Sequence, residues 1–315
     1  MECIEKIEPI LIFSSIILGL LFSNIAFISD NSSILINFFL FLMLLGVFLE
    51  IPLNDLKNGF KNFKFTKTSI LINFIFTPIF GYFLGSIFLY NHLDIWIGFV
   101  MLILTPCTDW YLLFTKIAKG NLSLSLSILP INLILQVILL PIYLILFFSS
   151  SNTINLSDLG FSLFILIILP FLLSIIIKFL FKNKISIKNK IDSFFSKSQV
   201  IFLSLAIFII FSSEANVLFE NVSSIFLIFI PLIIFFIVIF ILDYIVSKKV
   251  SFSYDEYASL TLTTLARNSP LALAIAINSF PHRELIIIAL VIGPLIELPV
   301  LYIISKGLLK IKRPY

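Results

Sequence analysis

Apolar runs about twenty residues long recur from residue 9 almost to the end of this 315-residue chain, and each is long enough to cross a hydrocarbon core. Backbone amides cannot stay unpaired in lipid, so runs of this length and spacing fold as helices. Hydrophobic residues make up 60% of the chain and charged residues 12%, about half the charged share of a soluble domain. Ten spans emerge from apolar length and breaker residues, at 9–28, 34–53, 69–90, 95–117, 121–148, 158–181, 199–213, 221–246, 258–280 and 284–309. The fold class is an all-α polytopic membrane protein with ten transmembrane helices. The first run has no small-residue cleavage site and many spans follow it, so it reads as a span and not a signal.

Basic residues set the orientation. With the N-terminus inside, all but Arg267 and Arg283 of the 21 Lys and Arg residues fall in cytoplasmic segments or at their edges. The outer loops carry Asp30, Asp94, Asp158, Glu214 and Glu220. This bias places both termini in the cytoplasm of a multi-pass plasma-membrane protein. The positive charge therefore serves topology and implies no nucleic-acid partner. The basic segment 182–198 reads as a cytoplasmic linker, with anionic lipid head groups as a second use.

Ten spans divide five and five, and an odd number per half inverts the second half relative to the first. The domains expected are 1–181 and 199–315, two inverted five-helix repeats joined by 182–198. Prolines agree: Pro78, Pro106 and Pro141 in spans three to five are answered by Pro231, Pro270 and Pro299 in spans eight to ten.

Two spans carry polar residues beside such a proline. In span four, Thr105, Pro106, Cys107, Thr108 and Asp109 interrupt an apolar run. Proline has no amide hydrogen and clashes one turn back, and a carboxylate at that depth is kept for function. In span nine, Thr261, Thr263, Thr264, Arg267, Asn268 and Ser269 precede Pro270. Helices four and nine are thus expected to be broken at mid-depth, like the discontinuous helices of transporter sites. Arg267 needs a carboxylate or a wet cavity, and Asp109 and Glu297 are its candidates. Glu297, in VIGPLIELPVL, can carry a proton or hold a structural ion pair. Asn73, Asn132, Gln136 and Asn278 either line a cavity or bond between helices. Glu50, ahead of Pro52, reads as interfacial.

No phosphate-binding or dinucleotide glycine loop is present, so neither ATP nor a cofactor is implied. There is no CxxC and no His/Cys cluster. His92 and His282 fall in loops, which leaves Cys107 without the base that an enzyme nucleophile requires. Cys3 precedes the first span, so its position does not favour a disulfide with Cys107.

With these motifs in hand, the chain resembles the arsenite efflux family within the bile acid/sodium symporter superfamily. VIGPLIELPVL, LTTLARNSPLALAIAINSF and LINFIFTPIFGYFLG carry the resemblance, with Cys107 eleven residues ahead of AKGN at 118–121. The resemblance implies a panel domain of spans one, two, six and seven and a core domain of the rest. It also implies that Cys107 and Glu297 are the essential cysteine and glutamate. Three places depart from the pattern. Pro106 stands where an arginine is usual, Thr108-Asp109-Trp110 replaces small apolar residues, and Thr263 and Arg267 occupy the sodium-ligating Glu and Gln positions of the bile-acid branch. A fixed guanidinium opposes a sodium ion there.

The function expected is proton-coupled export of arsenite or antimonite, with a thiolate suited to a soft metalloid. Cys107 would contact the metalloid, and Thr108, Asp109, Asn73, Thr263, Arg267, Asn268 and Glu297 would complete the transport site. The competing readings are an organic-anion carrier anchored on Arg267, with or without sodium coupling, and a non-transporting scaffold or sensor.

Overall fold

The computed structural model describes residues 2–23, 25–50, 62–107, 110–149, 160, 164–181, 184–280 and 283–311. Thr108, Asp109, Pro52, Asp158 and His282 lie outside the described residues. The helices in chain order begin with α1 (Glu2–Leu21), α2 (Ala26–Asp30), α3 (Ser32–Glu50), α4 (Phe63–Leu71), a π-helix at Ile72–Phe76, and α5 (Thr77–Phe88). Next come α6 (Leu93–Leu104), α7 (Trp110–Ile117), α8 (Leu122–Phe148), a second π-helix at Phe164–Ile168, α9 (Leu169–Leu180) and α10 (Ile185–Ser213). The last are α11 (Ala215–Glu220), α12 (Val222–Phe226), α13 (Phe229–Val250), α14 (Tyr254–Leu265), α15 (Ser269–Ser279) and α16 (Glu284–Ile311).

Six helices among the described residues are long and apolar enough to cross a membrane, and four shorter apolar helices accompany them. The chain is a multi-pass membrane protein. Spans four and nine are each two helices, α6 with α7 and α14 with α15. Asn121 caps α8 by accepting from the Leu124 amide at 3.2 Å, and Ser253 with Glu256 forms a capping box on α14. Both π-helices end just before a proline near a helix start, Pro78 in α5 and Pro170 in α9. Proline lacks the amide that a regular turn requires, and a widened turn accommodates the missing bond.

Two segments differ from the sequence expectation. Residues 185–198, expected as connector, form the first turns of α10. Their lysines and serines read as loop, but the helix runs through them into the apolar stretch without a break. Span eight, expected from 221, begins at Phe229, with Pro231 in its first turn, where its missing amide is harmless.

The helices group into two compact units. The first unit comprises Met1–Ile51, Thr153–Val222 and Leu273–Ile287. Within it α10 packs along α3 and α1, and α9 packs on α3. Phe48 meets Phe171 edge-on at 5.5 Å, and Lys178 donates to the Phe48 carbonyl at 2.9 Å. The second unit comprises Pro52–Asn152, Ser223–Ala272 and Ile288–Tyr315. Its innermost helix is α6, buried from Ile95 to Leu104. Gly81 and Gly85 let α5 lie directly on it, since a Cβ would come within 1.8 Å of Ile103 and 2.0 Å of the Trp96 ring.

Candidate functional site

The second unit holds two helix interruptions that meet. α6 stops at Leu104, and Thr105 turns to an extended backbone. α14 stops at Leu265, and Ala266 is likewise extended. Pro106 and Arg267 then pair as an antiparallel β-bridge. The Cys107 amide donates to the Ala266 carbonyl at 2.9 Å, and the Asn268 amide to the Thr105 carbonyl at 2.6 Å. The Thr105 hydroxyl reaches back to Met101 and Leu102 and across to the Asn268 carbonyl at 3.1 Å. Backbone groups freed by the two breaks therefore satisfy one another, which is what irregular backbone at membrane depth requires. Pro270 sits in the first turn of α15 and so starts the second half-helix.

The Ala266–Arg267 peptide lies at the centre. Its carbonyl accepts from Cys107, and its amide donates to Glu297 Oε1 at 2.7 Å. A trans peptide points its C=O and N–H in opposite directions, so the Cys107 backbone and the Glu297 carboxyl flank it from two sides. Both residues are buried, and Cys107 is in no disulfide. Glu297 Oε2 has no protein hydrogen-bond partner.

Arg267 is 1% exposed. Its Nη1 donates to the Ile103 carbonyl at 2.7 Å and its Nε to the Leu265 carbonyl at 3.3 Å. These carbonyls lie in the last turns of α6 and α14, so one guanidinium caps two helix C-termini, where positive charge is favoured. Nη2 donates to Asn73 Oδ1 at 3.2 Å, and the guanidinium carbon lies 5.0 Å from the Phe235 ring centre. Asn73 comes from the π-helix at Ile72–Phe76, a turn type frequent at functional positions.

Of the residues expected at the site, Asn73, Cys107, Arg267 and Glu297 come together here through these bonds. Asn268 is close by and accepts from the Leu271 amide at 3.2 Å, tying down the start of α15. Thr263 is buried on α14 with its hydroxyl lacking a protein partner. Asn278, a candidate cavity residue, instead makes a reciprocal amide pair with Asn37 in the first unit, at 3.1 and 2.6 Å.

Asp243 was not singled out from the sequence. It is fully buried on α13, its Oδ2 accepts from the Thr264 hydroxyl at 2.6 Å, and its Oδ1 has no protein partner. Among the described residues, Asp243 and Glu297 are the buried acids of this unit and Arg267 is its buried cation. The signal was an aspartate inside FFIVIFILDYIV, obscured by the lysines that follow it. Among the described residues, no three His, Cys, Asp or Glu side chains gather as metal ligands.

Residues 37–221 match the Sodium Bile acid symporter family. An uncharacterized transporter of Synechocystis sp. is 24% identical over 88% of this chain and 78% of its own length. The arsenical-resistance protein Acr3 of Corynebacterium glutamicum is 24% identical over 74% of this chain and 66% of its own length. The Acr3 protein of Alkaliphilus metalliredigens is 25% identical over 87% of this chain and 81% of its own.

Proposed function

This chain belongs to the Sodium Bile acid symporter family, and from that premise we propose that it exports trivalent arsenic or antimony, as the uncharged hydroxy acid, in exchange for protons. It is a secondary membrane transporter and not an enzyme. Two relatives are named for arsenical resistance, and that name supplies the substrate class.

Support comes from one peptide unit. Ala266–Arg267 holds the backbone of Cys107 on one side and the carboxyl of Glu297 on the other. The residue that would supply a soft sulfur donor and the carboxyl that would carry the proton are thus bonded to the same peptide at the break. An uncharged substrate gives the membrane potential nothing to act on, so uphill export needs a coupled ion. Glu297 would take up a proton when the site faces outward and release it inward as the substrate binds. Cys107 would meet the metalloid through one sulfur, weakly enough to let it go. Thr108, Asp109, Asn73, Thr263 and Asn268 would complete the site around them.

Arg267 would hold the two half-helices together and balance the buried carboxyls. Three of its bonds run to Ile103, Leu265 and Asn73, which gives less support to the organic-anion reading that makes it the anchor. Sodium would not drive transport, because Thr263 and Arg267 stand at the sodium-ligand positions. The two halves, 1–181 and 199–315, would be inverted repeats around this site, joined by 182–198, with both termini cytoplasmic.

Metalloid uptake into everted vesicles, normalised to folded protein, tests the reading. Cys107→Ser should lower apparent arsenite affinity at least tenfold. Glu297→Gln should bind arsenite yet fail to accumulate it under a proton gradient. Replacing sodium by potassium should leave initial rates unchanged. Full transport by Cys107→Ser would remove the thiol from the mechanism and bring the organic-anion reading forward.

A further inference from the structure

Two buried carboxamides in the second unit take no part in the bonding described above. Asn132 and Gln136 on α8 are fully buried, and neither the nitrogen nor the oxygen of either amide has a protein hydrogen-bond partner. Spaced four residues apart, they lie on one face of the helix. That face also carries Leu129, Leu140 and Leu144, all buried, so the amides sit within an apolar stripe. A carboxamide left dry and unpaired there would be costly, and two in successive turns on one face point to a ligand.

Their place along α8 can be derived. α8 and α14 pack on each other and are pinned at their starts. The Asn121 amide donates to the Asp255 carbonyl at 3.1 Å, and Asn121 Nδ2 donates to Asp255 Oδ2 at 3.1 Å. Eleven residues carry α14 from Asp255 to the break at Ala266, and eleven carry α8 from Asn121 to Asn132. At about 1.5 Å per residue, each is a rise of roughly 16 Å. Asn132 is therefore as many residues along α8 as the break is along α14, and Gln136 lies one turn beyond.

The chemistry of the pair selects its ligand. Each carboxamide offers N–H donors and a C=O acceptor with no net charge. An anion would use only the donors and a cation only the acceptors. A hydroxyl group, which donates and accepts at once, uses both. We propose that Asn132 and Gln136 form a subsite that binds the hydroxyl groups of a small, uncharged, polyhydroxylated solute beside the helix breaks. The subsite deepens the transport reading above, on which its choice of substrate class rests. It would hold the substrate's oxygens while the thiol meets its central atom.

The test is thermal unfolding of the full chain in lipid nanodiscs with boric acid, a trihydroxy solute that is uncharged near neutral pH and has no affinity for thiols. Boric acid should raise the midpoint of the wild-type and Cys107→Ser proteins alike. The concentration giving half the shift should rise about tenfold in Asn132→Leu and in Gln136→Leu, for two neutral hydrogen bonds lost at each amide. Their midpoints without ligand should be unchanged or higher, because an unpaired amide has given way to an apolar side chain. Gln136→Met, a close match in shape, serves if a leucine variant does not fold.

Three results overturn the proposal: an undiminished response in the Asn132→Leu/Gln136→Leu protein, no response in wild type (the amides then hold water alone), or lowered midpoints without ligand in every variant. An arsenite arm separates the two readings. Absence of any arsenite shift in wild type, with the boric-acid pattern intact, counts against the metalloid reading and leaves the hydroxyl subsite standing.

Discussion

The two units bury very different things. Among the described residues, the buried polar side chains of the first unit are all serines: Ser15, Ser174, Ser204, Ser212 and Ser279. A serine can bond back to its own helix, as Ser174 does to the Phe171 carbonyl, or to a neighbouring carbonyl, as Ser212 does to that of Phe22, and in either case it buries no charge. The second unit buries Asp243, Arg267 and Glu297, the amides of Asn73, Asn132 and Gln136, and a run of threonines on α14. Charges at this depth are costly and are retained where they act. The first unit buries no charge among the described residues, whereas the second buries three charged side chains, those of the site proposed above.

Removing the cation should separate the units most. Arg267→Met leaves two buried carboxyls without compensation and uncaps α6 and α14. Loss of one partner of a buried charge set costs about 3–5 kcal/mol, so the folded yield should collapse. Adding Glu297→Gln and Asp243→Asn should restore much of that yield without restoring transport. Lys178→Met, which removes the bond to the Phe48 carbonyl in the first unit, should cost less, about 1 kcal/mol for each hydrogen bond lost. Unfolding in matched nanodiscs measures all three, and equal losses for Arg267→Met and Lys178→Met would erase the contrast.

The same glycine substitution should also be felt unequally. At Gly85 a new Cβ would lie 2.0 Å from the rigid Trp96 ring. At Gly46, in the first unit, it would meet the Gln199 Cγ at 2.8 Å and the Phe195 ring at 3.3 Å, a milder overlap that falls mainly on an unbranched side chain. Gly85→Ala should therefore cost about 1–3 kcal/mol and Gly46→Ala less. Thermal midpoints decide it, and a larger loss at Gly46 would show that α3 and α10 pack as tightly as α5 and α6.

Much of this is legible in the sequence. The helices follow from apolar length, and the interruption of span four from Pro106. Three things were not legible, each for a physical reason. The first turns of α10 carry charges that read as loop, although a helix entering a membrane keeps such side chains at its rim. The proline rule marked Pro231 as an interior breaker, but a proline in a first turn breaks nothing. Asp243 escaped because its partner is the Thr264 hydroxyl on another helix, a tertiary contact with no fixed spacing in sequence. The site was half legible for the same reason. Cys107, Arg267 and Glu297 stand out by residue type, whereas the peptide unit that joins Cys107 to Glu297 has no side chain to announce it.

Amide pairs offer a smaller contrast. Asn37 and Asn278 in the first unit satisfy each other. Asn37→Leu should cost about 1 kcal/mol by stranding Asn278, in keeping with hydrogen bonds between membrane helices. Asn37→Leu/Asn278→Leu should recover most of that and transport at the wild-type rate. Loss of transport in the double variant would mean that the first unit takes part in the site.

The smallest expected effects lie at two rims and have opposite signs. Glu214, which follows α10 in the first unit, is pushed above the ordinary carboxyl range by burial and by Glu284, against the Ser213 hydroxyl. Asp255, in the first turn of α14, is held below its ordinary range by the Ser253 hydroxyl, assisted by Asn121 and opposed by partial burial. A raised carboxyl contributes stability that is fully present below the unfolded value, about 4.3 for Glu, and is lost as pH rises through the folded value. A lowered one contributes stability that is present above the unfolded value, about 3.9 for Asp, and is lost as pH falls through the folded value. The midpoint difference, variant minus wild type, should therefore rise with pH for Glu214→Gln. For Asp255→Asn it should fall with pH, starting from zero on the acid side. Both shifts should be small, because each group keeps contact with solvent. Midpoints recorded from about pH 3 to pH 7 give the two slopes, and slopes of the same sign would show that the two rims do not differ in the way their neighbours dictate.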